Sequence, residues 1–256
     1  MKKSIIIARF IIFSAMFLVF AGCFGCGEKK EETKANKTEG TNEMVVAKYV
    51  LGELEANCYL LYDEINKKAC LIDPGAYDQG IMDFISKEGL SCEYIILTHG
   101  HFDHIAGAEA FKEKTGAQIA AHELEEEYLL DPEKSMTFYF DGETVSADVF
   151  FKGGDMINFG DFSLEIIHTP GHSKGSSCFV YENGGRKIMF SGDTLFMGTI
   201  GRYDFYGGDY DILMQSLEKL RALKTNCKIY SGHGEETYLD DEIANNPYYK
   251  NLLKNN

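Results

Sequence analysis

Three histidines and an aspartate lie within six residues, in the segment Thr98-His99-Gly100-His101-Phe102-Asp103-His104. The segment directly follows the apolar run Tyr94-Ile95-Ile96-Leu97, which predicts a buried β-strand, and it precedes residues 105–114, which predict a helix. The cluster therefore falls on a strand-to-helix loop, where open α/β sheets hold their ligands. Imidazole nitrogens and carboxylate oxygens are preferred ligands of zinc, iron and manganese. Because the chain has only seven histidines, this concentration favours a metal site over a polar loop with accidental histidines.

Ligand-type residues recur where three further apolar, strand-like runs end, each beside a glycine or proline that turns the chain: His172, Asp193 and His233. Strand ends at one edge of a sheet lie close together, so we expect these side chains to meet the first cluster. Taken singly, Asp193 would be a turn residue and His233 a surface histidine. The repeated arrangement is what predicts a site. Seven potential ligands would converge there: His99, His101, Asp103, His104, His172, Asp193 and His233.

The first 22 residues differ in composition from the rest of the chain. Basic residues at the start are followed by the apolar run Phe10–Val19 and then by Ala21-Gly22-Cys23, a pattern typical of an export signal. Ala-Gly-Cys resembles a bacterial lipobox, which predicts that Cys23 becomes the lipidated first residue of the mature protein. The alternatives are a plain signal peptide with an incidental cysteine and an uncleaved apolar anchor.

The segment after the predicted signal has almost no apolar side chains between residues 27 and 43, so it cannot bury enough surface to offset the entropy lost on ordering. We predict a disordered tether over residues 23–43 and one folded domain over residues 44–256. The protein would then be exported and held at the bacterial cell envelope by its lipid.

The charge balance of the chain limits its partners. The formal net charge is −15, from 25 basic and 40 acidic side chains, and cleavage before Cys23 would remove three basic residues and leave −18. This excess of acid argues against a nucleic-acid partner and against adhesion to anionic lipid by charge. Membrane contact would depend on the lipid anchor, and the expected substrate is a small molecule.

Several other segments carry weaker predictions. The acidic residues 123–130 predict a helix with a solvated face, and the aromatic residues 138–140 predict core packing or, less strongly, a cover over the site. The cysteines beyond residue 26 lie in or beside apolar runs, which favours free buried thiols over a disulfide framework: Cys58, Cys70, Cys92, Cys178 and Cys227.

The pattern His-x-His-x-Asp-His, then Gly-His, Gly-Asp-Thr and Ser-Gly-His-Gly, resembles the metallo-β-lactamase superfamily from about Met44 to Tyr238. The resemblance implies a mixed α/β (α+β) fold, an αββα four-layer sandwich with metals at one edge of its two sheets. It implies two divalent cations, zinc before iron or manganese. The first would be held by His99, His101 and His172, the second by Asp103, His104 and His233, with Asp193 bridging and Asp73 supporting the site from beneath.

The chemistry of such a site agrees with these residues. Two cations that share a water lower its pKa from 15.7 to about 7, so a metal-bound hydroxide can attack a carbonyl carbon at neutral pH. We assign Asp103 a catalytic role in addition to its role as a ligand. No serine or cysteine nucleophile is required. Of the remaining histidines, we expect His168 to support a ligand from behind and His122 to lie at the surface.

Residues 192–204, followed by Gly207-Gly208-Asp209, resemble the glyoxalase II-like branch, with Tyr203 where that branch usually has threonine. This implies a hydroxyacylglutathione hydrolase-like enzyme that cleaves a thioester or ester, with Arg202 and Tyr203 in a substrate loop. True glyoxalase II carries an added helical domain that binds glutathione, whereas 23 residues follow His233 here. For this reason, and because hydroxyacyl-glutathione is intracellular, we do not expect glutathione recognition of that kind.

Three alternatives stay open. A non-haem iron persulfide dioxygenase of the same branch would use His99, His172 and Asp193 as a facial triad around one iron. A lactonase is a further alternative, and a β-lactamase is disfavoured because the β-lactamase branches lack the bridging aspartate that Asp193 would supply. A non-catalytic metal-binding lipoprotein is disfavoured because structural zinc sites are closed with four ligands, and seven candidates converge here.

Overall fold

The computed structural model describes residues 42–140, 142–223 and 226–255. The predicted signal peptide (residues 1–22), Cys23 and nearly all of the predicted tether (residues 23–43) lie outside the described residues. Within the described ranges, no helix combines the length and the apolar character that are needed to cross a bilayer.

The first half of the chain builds a six-stranded mixed sheet in which the strands follow one another in sequence order. Its strands are β1 (Val45–Leu51), β2 (Ala56–Tyr62), β3 (Lys68–Ile72), β4 (Ser91–Ile96), β5 (Gln118–His122) and β6 (Val149–Phe151). β1, β2 and β3 pair antiparallel, and β3 through β6 pair parallel. The helices of this half are α1 (Gln79–Glu88), α2 (Phe102–Ile105), α3 (Ala108–Thr115) and α4 (Glu126–Leu129), with 3₁₀ turns at Glu123–Glu125 and Thr137–Phe140.

The second half builds another six-stranded sheet and a short ribbon. Its strands are β7 (Met156–Phe159), β8 (Phe162–His168), β9 (Ser177–Asn183), β10 (Arg186–Gly192), β11 (Leu195–Phe196), β12 (Thr199–Ile200), β13 (Lys228–Ser231) and β14 (Thr237–Tyr238). The sheet has the order β14-β13-β10-β9-β8-β7, and β11 pairs with β12 alone. The helices are α5 (Tyr210–Arg221), α6 (Leu239–Asn245) and α7 (Pro247–Asn255).

The two sheets pack face to face, and helices cover both outer faces. Side chains from both sheets form the central core: Tyr59, Leu61, Ile72, Ile166, Phe179 and Phe190. The outer face of the first sheet packs against α1 and α3, with Ile85 and Phe111 in that cluster. The outer face of the second sheet packs against α5 and α7, with Leu217 and Tyr249 in that cluster. The layers are therefore helix, sheet, sheet, helix, which confirms the predicted αββα sandwich.

Local sequence signals explain where several elements begin and end. The side chain of Asp78 accepts a hydrogen bond from the backbone N–H of Ile81 and so caps α1, which stops at Gly89. The turn between β9 and β10 has Gly184 at φ 58° and Gly185 at φ 83°, left-handed conformations that glycine adopts without strain. Both the helix stop and the hairpin turn are thus placed by glycines of the local sequence.

Two expectations about the chain around the first histidine cluster were wrong. The predicted single helix over residues 105–114 is split into α2 and α3. It breaks at Gly107, where a Cβ would lie 2.4 Å from the backbone carbon of Ala76, so the chain presses there against the loop after β3. The candidate ligands also follow strands of both sheets, β4 in the first and β8, β10 and β13 in the second, rather than one edge of a single sheet.

The acidic and aromatic segments also differ from expectation. In the predicted solvated helix over residues 123–130, Glu125 is fully buried, together with Tyr128 and Leu129. The aromatic residues 138–140 were expected in the core, but their exposed fractions are 65%, 52% and 39%. The five cysteines of the described residues are free and buried, as predicted.

Candidate metal centre

Six of the seven predicted ligands form two compact groups at one end of the sandwich. In each group the ligand atoms lie within 4.8 Å of one another. The first trio consists of His99 and His101, on the loop after β4, and His172, on the loop after β8. The second trio consists of Asp103 and His104, on α2, and His233, on the loop after β13.

The seventh predicted ligand, Asp193, lies between the two trios. Its Oδ2 is 3.7 Å from His172 Nε2 of the first trio and 3.8 Å from His233 Nε2 of the second, and its Oδ1 is 3.3 Å from His104 Nε2. Position 232 must be glycine, because a Cβ there would lie 2.2 Å from Asp193 Oδ1. The glycine in the Ser-Gly-His segment is thus required for the close approach of β13 to the carboxylate.

A buried network behind the site sets which imidazole nitrogens face inward. Asp73 Oδ1 accepts from the backbone N–H of Thr98 at 2.7 Å, and its Oδ2 accepts from the Thr98 hydroxyl at 2.6 Å and from His104 Nδ1 at 3.0 Å. Since the Thr98 hydroxyl donates to Asp73, it accepts from His99 Nδ1, 3.0 Å away. His99 and His104 therefore direct their Nε2 atoms inward, and Asp73 lies where a supporting residue was predicted.

The predicted substrate loop supports the third histidine of the first trio. The backbone carbonyl of Arg202 accepts a hydrogen bond from His172 Nδ1 at 2.6 Å, so His172 Nε2 also faces the centre as an acceptor. The Arg202 guanidinium makes a two-pronged ion pair with Asp204 and lies 3.6 Å from the centre of the Phe205 ring. Tyr203 is partly exposed beside Tyr210, at a ring separation of 5.0 Å.

The donor set fits a bound cation. The His101 Nδ1 and His172 Nε2 atoms are 2.9 Å apart, and the Nε2 atoms of His172 and His99 are 3.2 Å apart. Unshared lone pairs repel at such distances, whereas nitrogen ligands of tetrahedral zinc lie about 3.3 Å apart at the usual bond length. Asp193 Oδ1, a buried atom between the trios, also has no hydrogen-bond partner among the described residues. The arrangement suits positive charge at its centre.

The two trios differ in electrostatics. Burial and neighbouring imidazoles lower the pKa of each histidine of the first trio, that of His101 to about 3, so these imidazoles are neutral. In the second trio, burial alone would lower the pKa of His104, but Asp193 and Asp103 outweigh it and raise that pKa. Burial would raise the pKa of Asp103, but His104 and His233 lower it. Asp103 and the neighbouring Asp193 are therefore ionised.

The remaining two histidines form a pair of their own. The rings of His122 and His168 stack at 4.2 Å with an angle of 16° between their planes. His168 Nε2 donates to the backbone carbonyl of Lys174, not to a predicted ligand, so its contacts differ from the supporting role that we expected. His122 was expected at the surface, but it is 3% exposed.

Sequence reasoning missed one buried polar contact of the site. The carboxylate of Glu125 accepts hydrogen bonds from the loops that carry both halves of the first trio. Desolvation raises the pKa of Glu125 to about 7, although these hydrogen bonds oppose the shift. The available signal was its spacing from Tyr128 and Leu129, which places all three on one face of a helical turn.

Three aromatic side chains are connected to the candidate ligands, in the chain or in space. Phe102, between His101 and Asp103 in the chain, stacks on Phe140 at 3.7 Å with an interplanar angle of 10°. The Phe205 ring lies 5.8 Å from the ring of His101. We call Phe102, Phe140 and Phe205 the aromatic mouth of the site.

Comparison with protein families and relatives points in one direction. The model of the metallo-beta-lactamase superfamily matches residues 51–233, a range that includes all seven candidate ligands. The probable metallo-hydrolase YqgX of Bacillus subtilis is 37% identical over 203 residues, which cover 77% of this chain and 94% of that protein. The hydroxyacylglutathione hydrolase GloC of Haemophilus influenzae is 34% identical over 199 residues, which cover 76% of this chain and 92% of that protein.

Solved structures give the same picture of the fold. The BLEG-1 B3 metallo-β-lactamase superposes with a TM-score of 0.73 at 32% identity, covering 80% of this chain and 99% of that one. TTHA1623 in a di-iron-bound form superposes with a TM-score of 0.69 at 32% identity, covering 78% of this chain and 98% of that one. ETHE1 from Myxococcus xanthus superposes with a TM-score of 0.65 at 25% identity, covering 82% of this chain and 90% of that one.

Proposed function

Since this chain belongs to the metallo-β-lactamase superfamily and is a metallo-hydrolase of that group, we propose that it hydrolyses a small thioester or ester at a two-metal centre. The observation that carries the proposal is the position of Asp193 between two complete trios of ligands. A single structural metal would need only four ligands, and seven side chains meet here.

The ligands divide between two cations. The first trio would hold one and the second trio the other, with Asp193 shared. When bound, such a pair of cations acidifies a water molecule and polarises the substrate carbonyl. Zinc is our proposal for both positions, but nitrogen and oxygen donors also suit iron and manganese, and TTHA1623 is described in a di-iron form.

Asp103 is the residue that we assign to proton movement. Its Oδ2 lies 3.2 Å from His233 Nε2 and 3.6 Å from His104 Nε2, and its side chain is 11% exposed, so it reaches both the centre and its opening. Because neighbouring histidines keep this carboxylate ionised, it can accept the proton of the attacking water and return it to the leaving group.

The substrate class follows from the relatives and from the aromatic mouth. The Haemophilus relative is named as a hydrolase of a glutathione thioester. The matched region covers 92% of that relative, so it has little sequence outside the part that resembles this chain. The guanidinium of Arg202 is already paired with Asp204 and stacked on Phe205. We therefore propose a thioester whose arm packs against Phe102, Phe140 and Phe205, in preference to one recognised by charge.

Two other reactions have specific support. The likeness to ETHE1 from Myxococcus xanthus keeps the persulfide dioxygenase alternative, which needs one iron at His99, His172 and Asp193. The likeness to BLEG-1 at 32% identity keeps β-lactam hydrolysis, despite the bridging position of Asp193. The completeness of the second trio favours the two-metal hydrolase over the one-iron dioxygenase.

The test is metal content and substrate choice of the purified full-length protein. We expect two metals per chain and hydrolysis of thioesters that is lost on chelation and restored by zinc. A panel of lactoyl-glutathione, a neutral aromatic thioester, a lactone and nitrocefin ranks the substrates. One iron per chain with oxygen uptake on a persulfide would overturn the proposal, and nitrocefin turnover above thioester turnover would reassign it.

We also propose that the protein is exported and anchored to the membrane through lipid on Cys23. The support is the signal-like residues 1–22 and the Ala21-Gly22-Cys23 segment. We expect labelled palmitate to enter the protein in its bacterial host and to be absent from Cys23→Ser, which should leave the membrane fraction. Equal membrane retention of both proteins, with no label in either, would contradict this.

A further inference from the structure

One buried carboxylate lies between the two loops that carry the first trio. Glu125, on the 3₁₀ turn before α4, has no exposed surface. Its Oε2 accepts from the backbone N–H of Gly100 at 2.6 Å, between the ligands His99 and His101. Its Oε1 accepts from the N–H of Gly175 at 2.6 Å and from the Ser173 hydroxyl at 2.7 Å, on the loop after His172. A single side chain thus joins both halves of the first trio.

Both loops approach this carboxylate closely enough to require glycine. A Cβ on Gly100 would lie 2.6 Å from the Cβ of Tyr128 and 3.0 Å from Glu125 Oε2. A Cβ on Gly175 would lie 2.8 Å from both Cγ and Oε1 of Glu125. The two glycines, neither of which can ligate a metal through a side chain, are therefore fitted to the helical turn that supplies Glu125.

The same turn and loop carry further supporting contacts. The Ser173 hydroxyl lies 2.6 Å from the Ser176 hydroxyl, which also accepts from the Ser173 backbone N–H at 3.0 Å. The Tyr128 hydroxyl accepts from the N–H of Lys174 at 3.1 Å. The loop after His172 is thus hydrogen-bonded at three consecutive residues, 173 to 175. Glu125 also accepts a hydrogen bond from Gly100, on the loop that carries His99 and His101.

We propose that Glu125 is a positioning residue that sets the placement of His99 and His101 relative to His172, and thereby the metal affinity of the first trio. Hydrogen bonds to a carboxylate are shorter and about twice as strong as neutral ones, and all three here are short. The second trio is held from behind by Asp73 and receives no bond from Glu125. The inference rests on the ligand set of the proposed function and does not depend on which substrate the enzyme takes.

Replacement by glutamine removes one acceptor from this arrangement. All three of its donors need an oxygen, and an amide has only one. Either orientation of the amide in Glu125→Gln sets its NH₂ group against an N–H, that of Gly100 or that of Gly175. The exposed neighbour provides a matched control, because Glu126→Gln makes the same chemical change on the surface.

The experiment is cobalt(II) binding to the metal-stripped full-length protein, measured by visible absorption against a competing chelator. The wild type should bind two cobalt ions. In Glu125→Gln we expect one of them to bind about 10–100-fold more weakly, the usual cost of losing a partner behind the ligands, and the other to bind as before. Ser173→Ala removes one bond and should weaken the same site by less, and Glu126→Gln should match the wild type.

Two further measurements separate positioning from general destabilisation. In a His233→Ala background only the first trio is complete, so adding Glu125→Gln there should weaken the one strong site that remains. Thermal unfolding of the metal-free proteins reports any loss of fold. If Glu125→Gln does not fold, Ser173→Ala decides the question alone.

The outcomes of this experiment are distinct. Equal cobalt affinities in wild type, Glu125→Gln and Ser173→Ala would overturn the inference, and so would equal weakening of both sites. Fewer than two cobalt ions on the wild type would instead refute the ligand set on which the proposed function depends.

Discussion

The seven histidines of this protein fall into two arrangements, both built at strand ends. Five converge in the candidate metal centre, where the rings of the first trio meet edge to face at angles of 78–89°. The other two, His122 and His168, lie parallel at 16° and stack face to face. Converging edges direct nitrogens at a common point, whereas stacked faces do not.

The hydrogen-bond partners account for the difference. In the centre, Asp73, Thr98 and the carbonyl of Arg202 engage the outward nitrogens of His104, His99 and His172 and direct their other nitrogens inward. In the pair, His122 Nδ1 accepts from the N–H of Leu124, and His168 Nε2 donates to a carbonyl. These three candidate ligands are thus oriented by buried partners, which is how metal-binding histidines are usually held.

The largest expected effect is at Asp193, the carboxylate that lies between the two trios. Asp193→Asn removes the negative charge shared by both trios and so weakens the binding of the cations that would activate the attacking water. We expect the metal content to fall and kcat/KM on the best thioester to fall about 10³-fold, which is about 4 kcal/mol at 1.36 kcal/mol per tenfold. His122→Asn is the control and should retain wild-type activity. An Asp193→Asn protein with two metals and most of its activity would remove the distinction between the two arrangements.

The next largest effect is expected at Asp73, which accepts hydrogen bonds from Thr98 and His104 behind the ligand atoms. Asp73→Asn retains the size of the side chain but weakens acceptance from His104 and Thr98. We expect about 10–100-fold weaker metal binding, measured by chelator competition, because such partners orient the ligands. Asp78→Asn, at the cap of α1, is the control for a general aspartate effect. Undiminished binding in Asp73→Asn would show that the ligands orient themselves.

A smaller effect is expected at the aromatic mouth. Phe140→Ala removes the ring stacked on Phe102. Aromatic pairs contribute about 0.5–1.5 kcal/mol, so KM for an aromatic thioester should rise by up to about tenfold with kcat nearly unchanged. Phe138→Ala, an exposed neighbour, should leave KM as it is. A fall in kcat alone would place Phe140 in the catalytic step instead of substrate binding.

The smallest effect belongs to the stacked pair and appears in stability. Burial, and then the neighbouring His168, lower the pKa of His122 from 6.5 to about 4. Between pH 6.5 and 4 the unfolded chain takes up a proton that folded His122 does not, so stability is lost as pH falls through this window. His122→Asn retains an acceptor for the N–H of Leu124 but does not titrate, so its Tm should fall less between pH 7 and pH 4.5. Parallel Tm profiles for the two proteins would contradict the assignment.

The residue pattern was sufficient for the clustering of the seven ligands, whereas the αββα fold was expected only through the family resemblance. Those residues lie beside glycines or a proline at the ends of apolar strands, and this local pattern can be recognised without knowing which strands pair. Asp73 could be placed only through the family resemblance. Its partners Thr98 and His104 are 25 and 31 residues away in the chain.

The errors share a physical cause. Glu125 resembled a solvated residue because its three hydrogen-bond donors come from loops 25 to 50 residues distant. His122 and His168 could not be separated from the ligands or from the surface, because only their stacking across two sheets defines them. The aromatic residues 138–140 suggested a core, yet they are exposed, because tertiary contacts and not hydrophobicity alone decide which aromatic side chains are buried.

The central claim is that Asp193 joins two metal positions made by the two trios. Anomalous diffraction from crystals of the zinc-loaded protein, collected at the zinc absorption edge, tests it most directly. We predict two peaks per chain, one at His99, His101 and His172 and one at Asp103, His104 and His233, with Asp193 in contact with both. A single peak, or a peak at His122 and His168, would contradict the account.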